Sequence, residues 1–282
     1  MNCFMFPGQP LAQTGQLPDD QDFREIAAMT SRRTGFDLDA FAWTGPEWTD
    51  NVKLQVYGCA MSLYEARRLR RQGIRPGITA EHSMGIYAAL AASSSLPEEE
   101  AIELAFRIGC AMARMGASGE YAIGCVVGLT LEPLLAAAEN NGVYLANHNT
   151  SRHFLLSGKR KNMEAAMVEA LDSGAFSART FPCDAPLHTP LMAGAAGEMQ
   201  SIFNEYRYRE PAVPLVNHID QDCLSAADMA DFMLREMHEP VYWEKTYRAL
   251  KAAGAGRCYE VGVGESLKKY NRWIESEVVF SF

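Results

Sequence analysis

No Cys-X-X-Cys pair occurs among the seven cysteines, Cys3, Cys59, Cys110, Cys125, Cys183, Cys223 and Cys258. Scattered and odd in number, they argue against a disulfide framework and for free thiols in a reducing cytoplasm. Long apolar runs are missing too: the longest, residues 84–96, is too short and too rich in Ser and Ala to span a membrane. The start, Met1-Asn2-Cys3-Phe4-Met5-Phe6, lacks the basic n-region of a secretory signal and is expected to be a strand. Basic charge is not in excess; a formal net charge of −9 argues against a general nucleic-acid binder. The histidines show no H-E-x-x-H or comparable ligand spacing, so no metal site is expected. Repeats and low-complexity linkers are absent. What is present is 282 residues with 48% apolar and 22% charged content, enough for a substantial core in a cytoplasmic globular protein.

Residues 1–120 alternate short strands with helices, which predicts an α/β fold with a parallel sheet. Residues 51–72 read as one long helix closed by Gly73, and Pro97-Glu98-Glu99-Glu100 opens another with acids in its first turn. Residues 121–184 change character, with strands at 122–128, 143–147, 154–158 and 176–182 and helices at 131–140 and 161–172. That βαββαβ order is ferredoxin-like. The predicted organisation is therefore a core of residues 1–120 and 185–282 with a subdomain of residues 121–184.

Within the core, Thr79-Ala80-Glu81-His82-Ser83-Met84-Gly85 joins a predicted buried strand, residues 74–80, to a small-residue helix, residues 86–92. A serine on such a turn has an exposed hydroxyl above a helix N-terminus, whose N–H groups can stabilise an oxyanion. Two further segments stand out: Phe6-Pro7-Gly8-Gln9, and Ala185-Pro186-Leu187-His188-Thr189-Pro190-Leu191-Met192. Acyl transfer through a serine needs a base, and Ser83 and His188 are the candidate nucleophile and base.

In order and spacing these segments resemble the malonyl-CoA:acyl-carrier-protein transacylase family and the acyltransferase domains of polyketide synthases. Gln55, Ala146-Asn147-His148-Asn149, Val216-Asn217, Pro240-Val241-Tyr242-Trp243 and Glu260-Val261-Gly262-Val263-Gly264 extend the resemblance over nearly the whole chain. The resemblance implies a hydrolase-like α/β core with a ferredoxin-like insert and the active site in the cleft between them. It implies a Ser83–His188 dyad, with a backbone carbonyl orienting the imidazole, and an oxyanion hole from the N–H groups of Gln9 and Met84. Gly8 is expected to let the chain approach the acyl carbonyl. No cofactor is implied: acyl-CoA and the phosphopantetheine of an acyl carrier protein are substrates. His82 is read as a wall of the pocket, Gln55 and Asn217 as structural hydrogen-bonders there, and Met84, Met112, Met115 and Met192 as apolar lining.

The chain departs from the family at telling positions. The arginine that holds the malonyl carboxylate falls on Ile108; Arg107 is one residue away and therefore turned by about 100° on a helix. Isoleucine cannot offset the desolvation of a carboxylate, so an uncharged acyl group is expected. Leu187 replaces a phenylalanine, Ile86 a glutamate, and Glu236 the glutamine whose carbonyl orients the histidine. Glu81 replaces a glycine. An ion pair with Arg107 is the preferred reading of Glu81, ahead of a carboxylate acting on His188 or on a water. Basic residues at Arg67, Arg68, Arg70, Arg71 and Arg75, and at Lys159, Arg160 and Lys161, are candidate contacts for carrier-protein or coenzyme A phosphates. The expected activity is acyl transfer from acyl-CoA to a carrier-protein thiol through acyl-Ser83. A thioester hydrolase is the alternative, which Glu81 would favour if it held water. A non-catalytic carrier-protein-binding subunit is disfavoured by the presence of Ser83, His188 and Gln9.

Overall fold

The computed structural model describes residues 1–13, 15–45, 47–117 and 119–279. Its elements run β1 (Asn2–Phe6), α1 (Gln21–Thr34), β2 (Phe36–Asp37), β3 (Ala42–Trp43), α2 (Asp50–Arg71), β4 (Ile78–Glu81), α3 (Gly85–Ala92) and α4 (Glu98–Met115). There follow β5 (Tyr121–Val127), α5 (Leu131–Asn141), β6 (Tyr144–Thr150), β7 (His153–Lys159), α6 (Arg160–Asp172) and β8 (Ser177–Pro182). The chain then makes a 3-10 turn (Pro190–Ala195), α7 (Ala196–Asn204), β9 (Leu215–Val216), α8 (Met229–His238), α9 (Trp243–Ala252), β10 (Arg257–Glu260) and α10 (Ser266–Val279).

The apolar start of the chain is an inner strand. The sheet order is β10-β1-β4-β9, with all three pairings parallel. Alternation along β1 sends Phe4 and Phe6 into the large core, which also holds Val56, Tyr87 and Ile108 from α2, α3 and α4. Cys3 and Met5 point the other way, into a core with Trp243, Tyr247 and Leu267 from α9 and α10. Both faces of the sheet are thus covered by helices, as parallel pairing requires.

The strand before the serine is shorter than its sequence suggests. Gly73, at φ +77°, ends α2, and Ile74 N–H returns to the Leu69 carbonyl at 3.0 Å. Pro76 has no N–H to give; contact with β1 begins with Gly77 N–H donating to Asn2 O at 2.9 Å, and the paired register runs from Ile78. From β5 to β8 the elements follow a βαββαβ order, and their sheet, β6-β7-β5-β8, is antiparallel throughout with its own buried cluster around Val126, Leu134, Phe154 and Met163. A bulged stretch of β6 meets Val241 of the core: His148 N–H donates to Val241 O at 2.7 Å, and Val241 N–H to Ala146 O at 2.8 Å. That bridge fixes the second sheet beside the first and closes the cleft between them.

Candidate active site

Ser83 lies two residues past the end of β4, with φ +56°, a backbone state that costs free energy for a residue bearing a Cβ. The turn is tight because α3 begins against β1. A Cβ on Gly85 would lie 2.2 Å from the Phe6 carbonyl oxygen, so only glycine fits there. His82 N–H donates to Phe6 O at 3.0 Å, which continues the parallel ladder to the serine itself.

His188, 105 positions along the chain from Ser83, lies on the segment before Pro190 and also holds a left-handed φ of +60°. Its backbone N–H donates to Met237 O at 2.8 Å, and its Nδ1 lies 2.6 Å from Glu236 O. A carbonyl can only accept, so the proton sits on Nδ1 and leaves Nε2 as an acceptor. Ser83 Oγ is 2.7 Å from that Nε2. The hydroxyl therefore donates to the group that would take its proton, and the orienting partner is a carbonyl, not a carboxylate.

Burial first, then the neighbouring His218 and His82, push the His188 imidazole down to about 3 from the ordinary 6.5. The folded protein therefore holds His188 neutral where an unfolded chain would protonate it. The stability this represents is complete above 6.5 and is lost as pH falls from 6.5 toward 3. Acyl-enzyme formation is expected to stay level as pH drops through 6.5, failing only with acid unfolding or near the lower value. Rates of formation measured against pH, with circular dichroism at each point, check this; an inflection near 6.5 in folded protein would contradict it.

Gln9 and Met84 flank the serine from the β1 loop and the α3 N-terminus. Among the described residues neither backbone N–H donates to another group of the chain, so both are available to an oxyanion. The loop bearing Gln9 is anchored by its side chain, which donates to Asn51 Oδ1 at 3.1 Å, and Asn51 in turn donates to Asp184 at 2.9 Å. A Cβ on Gly8 would sit 3.0 Å from His82 Nδ1 and 3.3 Å from His82 O, so a side chain there would press on the His82 wall.

The cleft is a cavity of about 760 Å³ lined by Gln9, Gln55, His82, Ser83, Leu187 and His188, by apolar residues of the second sheet such as Ile123 and Leu155, and by Tyr270 and Trp273 of α10. His82 Nε2–H donates to Asn149 Oδ1 at 2.9 Å, and the Asn149 amide lies 3.1 Å from His153 Nδ1. This chain of side chains stiffens the wall and was only half legible in the sequence, where Asn149 was part of a motif and His153 was not.

Three expected pocket residues are placed elsewhere. Ile108 is fully buried in the large core and is not among the lining residues, because its position on α4 faces inward. Asn217 is used up by its own turn: its Oδ1 accepts from the N–H groups of Ile219 and Asp220, and its Nδ2 donates to Asp222 O at 3.0 Å. Glu81 is fully buried and does not meet Arg107, His188 or the cavity. It bonds His218, a residue the sequence reading passed over for want of ligand spacing. Arg107 instead pairs with Glu205 at 2.7 Å and Arg114 with Glu198, so neither guanidinium enters the cleft. The lining contains one arginine and one lysine, Arg152 and Lys269, both solvent-exposed.

Glu81, His218 and Glu236 each place one potential ligand atom within 4.8 Å of the others, a grouping the sequence did not suggest. Burial, then the charge of Glu81, push the Glu236 carboxyl well above the usual carboxylate range. The arginine group on α2 is also not free. Arg67 pairs with Glu98 and Glu25, Arg68 with Glu65, and Arg71 with Asp22, while Arg70 donates to Ala92 O. As a docking patch for phosphates it is largely neutralised by its own neighbours.

The acyl transferase domain family matches residues 20–264. Curated relatives include the malonyl CoA-acyl carrier protein transacylase of Escherichia coli strain K12, 28% identical over 278 residues, covering 94% of this chain and 90% of that protein. The Bacillus subtilis strain 168 protein of the same description is 28% identical over 294 residues, covering 98% and 92%. Among solved structures, a type II PKS acyl-carrier protein in complex with its malonyl-transacylase superposes with TM-score 0.90 at 26% identity, covering 97% of this chain and 93% of that one. An acyl carrier protein S-malonyltransferase from Vibrio cholerae gives TM-score 0.88 at 26% identity, covering 97% and 94%. Among the described residues no helix is long and apolar enough to cross a membrane.

Proposed function

Because this chain belongs to the acyl transferase domain family, we propose that it moves an acyl group from acyl-CoA to the phosphopantetheine thiol of an acyl carrier protein. Ser83 Oγ attacks the thioester carbonyl while its proton passes to His188 Nε2. The oxyanion forms between the N–H groups of Gln9 and Met84. Its collapse expels the coenzyme A thiolate, which takes the proton from His188. The carrier thiol then gives its proton to His188, attacks the ester and releases Ser83. The observation that carries this reading is the aligned relay from Ser83 to His188 to the Glu236 carbonyl, with steps of 2.7 and 2.6 Å, at the wall of the cleft. The architecture is read as a hydrolase-like core carrying a ferredoxin-like insert, residues 121–184. No cofactor is needed for this chemistry.

The acyl group is read as uncharged. A malonyl carboxylate inside the cleft would need a buried cation to offset its desolvation, and the arginine and lysine among the described lining residues, Arg152 and Lys269, are both solvent-exposed. Hydrolysis loses the feature that could have favoured it, because the Glu81 carboxylate is spent on His218, away from the cavity. Incubation with an equimolar mixture of malonyl-, acetyl- and butyryl-CoA, followed by intact-protein mass spectrometry, is expected to show acetyl or butyryl on Ser83. Addition of a holo carrier protein should move the label to its thiol. A dominant malonyl adduct would overturn the uncharged reading, and label released as free acid instead of transferred would overturn the transferase.

A further inference from the structure

Glu81 stands two residues before Ser83 at the end of β4, and His218 lies just past the end of β9, the neighbouring strand. The Glu81 carboxylate accepts from the backbone N–H of His218 at 3.0 Å and from its Nδ1–H at 2.7 and 2.8 Å. Both side chains are fully buried. Asn217 shapes the turn that presents His218. The His218 ring stands perpendicular to the His188 ring, with centroids 6.0 Å apart and planes at 87°.

We propose that Glu81 and His218 are positioning residues, a buried carboxylate–imidazole couple that ties the nucleophile strand to the wall against which the base is packed. The inference rests on the reading of Ser83 and His188 as nucleophile and base. Bonds at Nδ1 and Nε2 fix two points of the His188 ring but leave it free to rock about the line joining them. The perpendicular His218 ring, packed beside it, limits that rocking. Ser83 and His188 both hold positive φ, which persists only where the surroundings over-determine it. An apolar pair could fill the same volume at lower desolvation cost. What the couple adds is direction: three bonds set the end of β4 against the β9 turn. Glu236 completes the layer from α8, with its carbonyl on His188 and its carboxyl within 4.8 Å of the Glu81 and His218 ligand atoms. The end of β4, the β9 turn and α8 thus each send one residue into the same buried layer. The titratable groups facing His188 are His82 from the elbow and His218 from the β9 turn, with Glu81 of β4 and Glu236 of α8 behind them; His218 and His82 both oppose its protonation.

A fluorophosphonate tests this without choosing an acyl group: Ser83 Oγ bonds phosphorus, fluoride leaves, and the serine proton passes to His188 and then to solvent. Glu81→Gln and His218→Asn are each expected to slow phosphonylation by about 10- to 100-fold, the cost of a small misplacement of reacting groups. His218→Asn is also expected to move the acid limb of the rate to higher pH, because it removes a group that opposes protonation of His188. Lowered melting temperature with unchanged rate and unchanged acid limb would overturn the proposal. A Ser83→Ala control separates the two readings: label on that variant refutes the serine assignment, whereas a silent control beside fully reactive Glu81 and His218 variants refutes only the positioning role. Should a variant not fold, nitrogen-edited NMR of the unmodified protein decides. The Nδ1 proton of His218 should resonate far downfield and exchange slowly, and its absence would overturn the couple. A stoichiometric divalent ion in the purified protein, lost in Glu81→Gln, would overturn it as well, since the layer would then be a metal site.

Discussion

Ser83→Ala is expected to abolish the covalent acyl adduct, and His188→Ala to slow acylation by about 10⁴-fold or more. The two effects differ in kind. Without Oγ there is no atom to acylate. Without His188 the hydroxyl remains but must lose its proton to water, and the relay that ends on the Glu236 carbonyl is gone. The proposed oxyanion donors survive in both variants, because they are backbone N–H groups of Gln9 and Met84 that no side-chain change removes. Residual turnover in His188→Ala should therefore stay above the rate in water. Single-turnover acylation followed by mass spectrometry reads both variants, and an adduct persisting on Ser83→Ala would refute the assignment. His188 carries no carboxylate partner of its own, so no third side chain should match the loss seen on removing either member of the dyad.

Gly85→Ala should be the most damaging conservative change in the elbow. The added methyl would stand 2.2 Å from the Phe6 oxygen, 2.7 Å from the Phe6 carbonyl carbon and 2.9 Å from the Pro7 oxygen. All three are backbone atoms of the strand and loop that also carry Gln9, so no side chain can swing away to relieve the clash. Either α3 lifts from β1 or the loop moves. The expected cost is about 3 kcal/mol or more, a melting point lower by roughly 6–12 °C for a chain of this length. Activity should fall further than stability, since both oxyanion donors ride on the parts forced apart. Calorimetry and acylation rates on the same preparation measure the two. A variant that melts like the parent would mean the close approach is softer than the geometry implies.

Much of the chemistry was legible along the chain because it is local. A strand, a turn with Ser83 and a helix are adjacent in sequence, and their apolar pattern, small residues and glycines signal that order whatever surrounds them. The βαββαβ order of residues 121–184 was legible for the same reason: each strand and helix has its own periodicity. Gln55 and Leu187 do line the cleft, but they were reached through the family resemblance and not through any periodicity of their segments.

Side-chain partnership across the fold was not legible. Glu81 and His218 are 137 positions apart, and nothing in a charge on a strand says which distant residue answers it. The nearer cation, Arg107, is on a helix whose exposed side faces Glu205, so the pairing inferred for Glu81 failed on direction, not on chemistry. Ile108 illustrates the same limit: its place in the chain could be counted, but whether that face of α4 looks into the cleft or into the core depends on how α4 packs against α2 and α3. Sequence determined which residues could act, because reactivity resides in residue type and local turn. Only the tertiary structure decided which of them meet, because burial and orientation arise when distant segments pack together, and packing settles which polar groups must find each other out of reach of water.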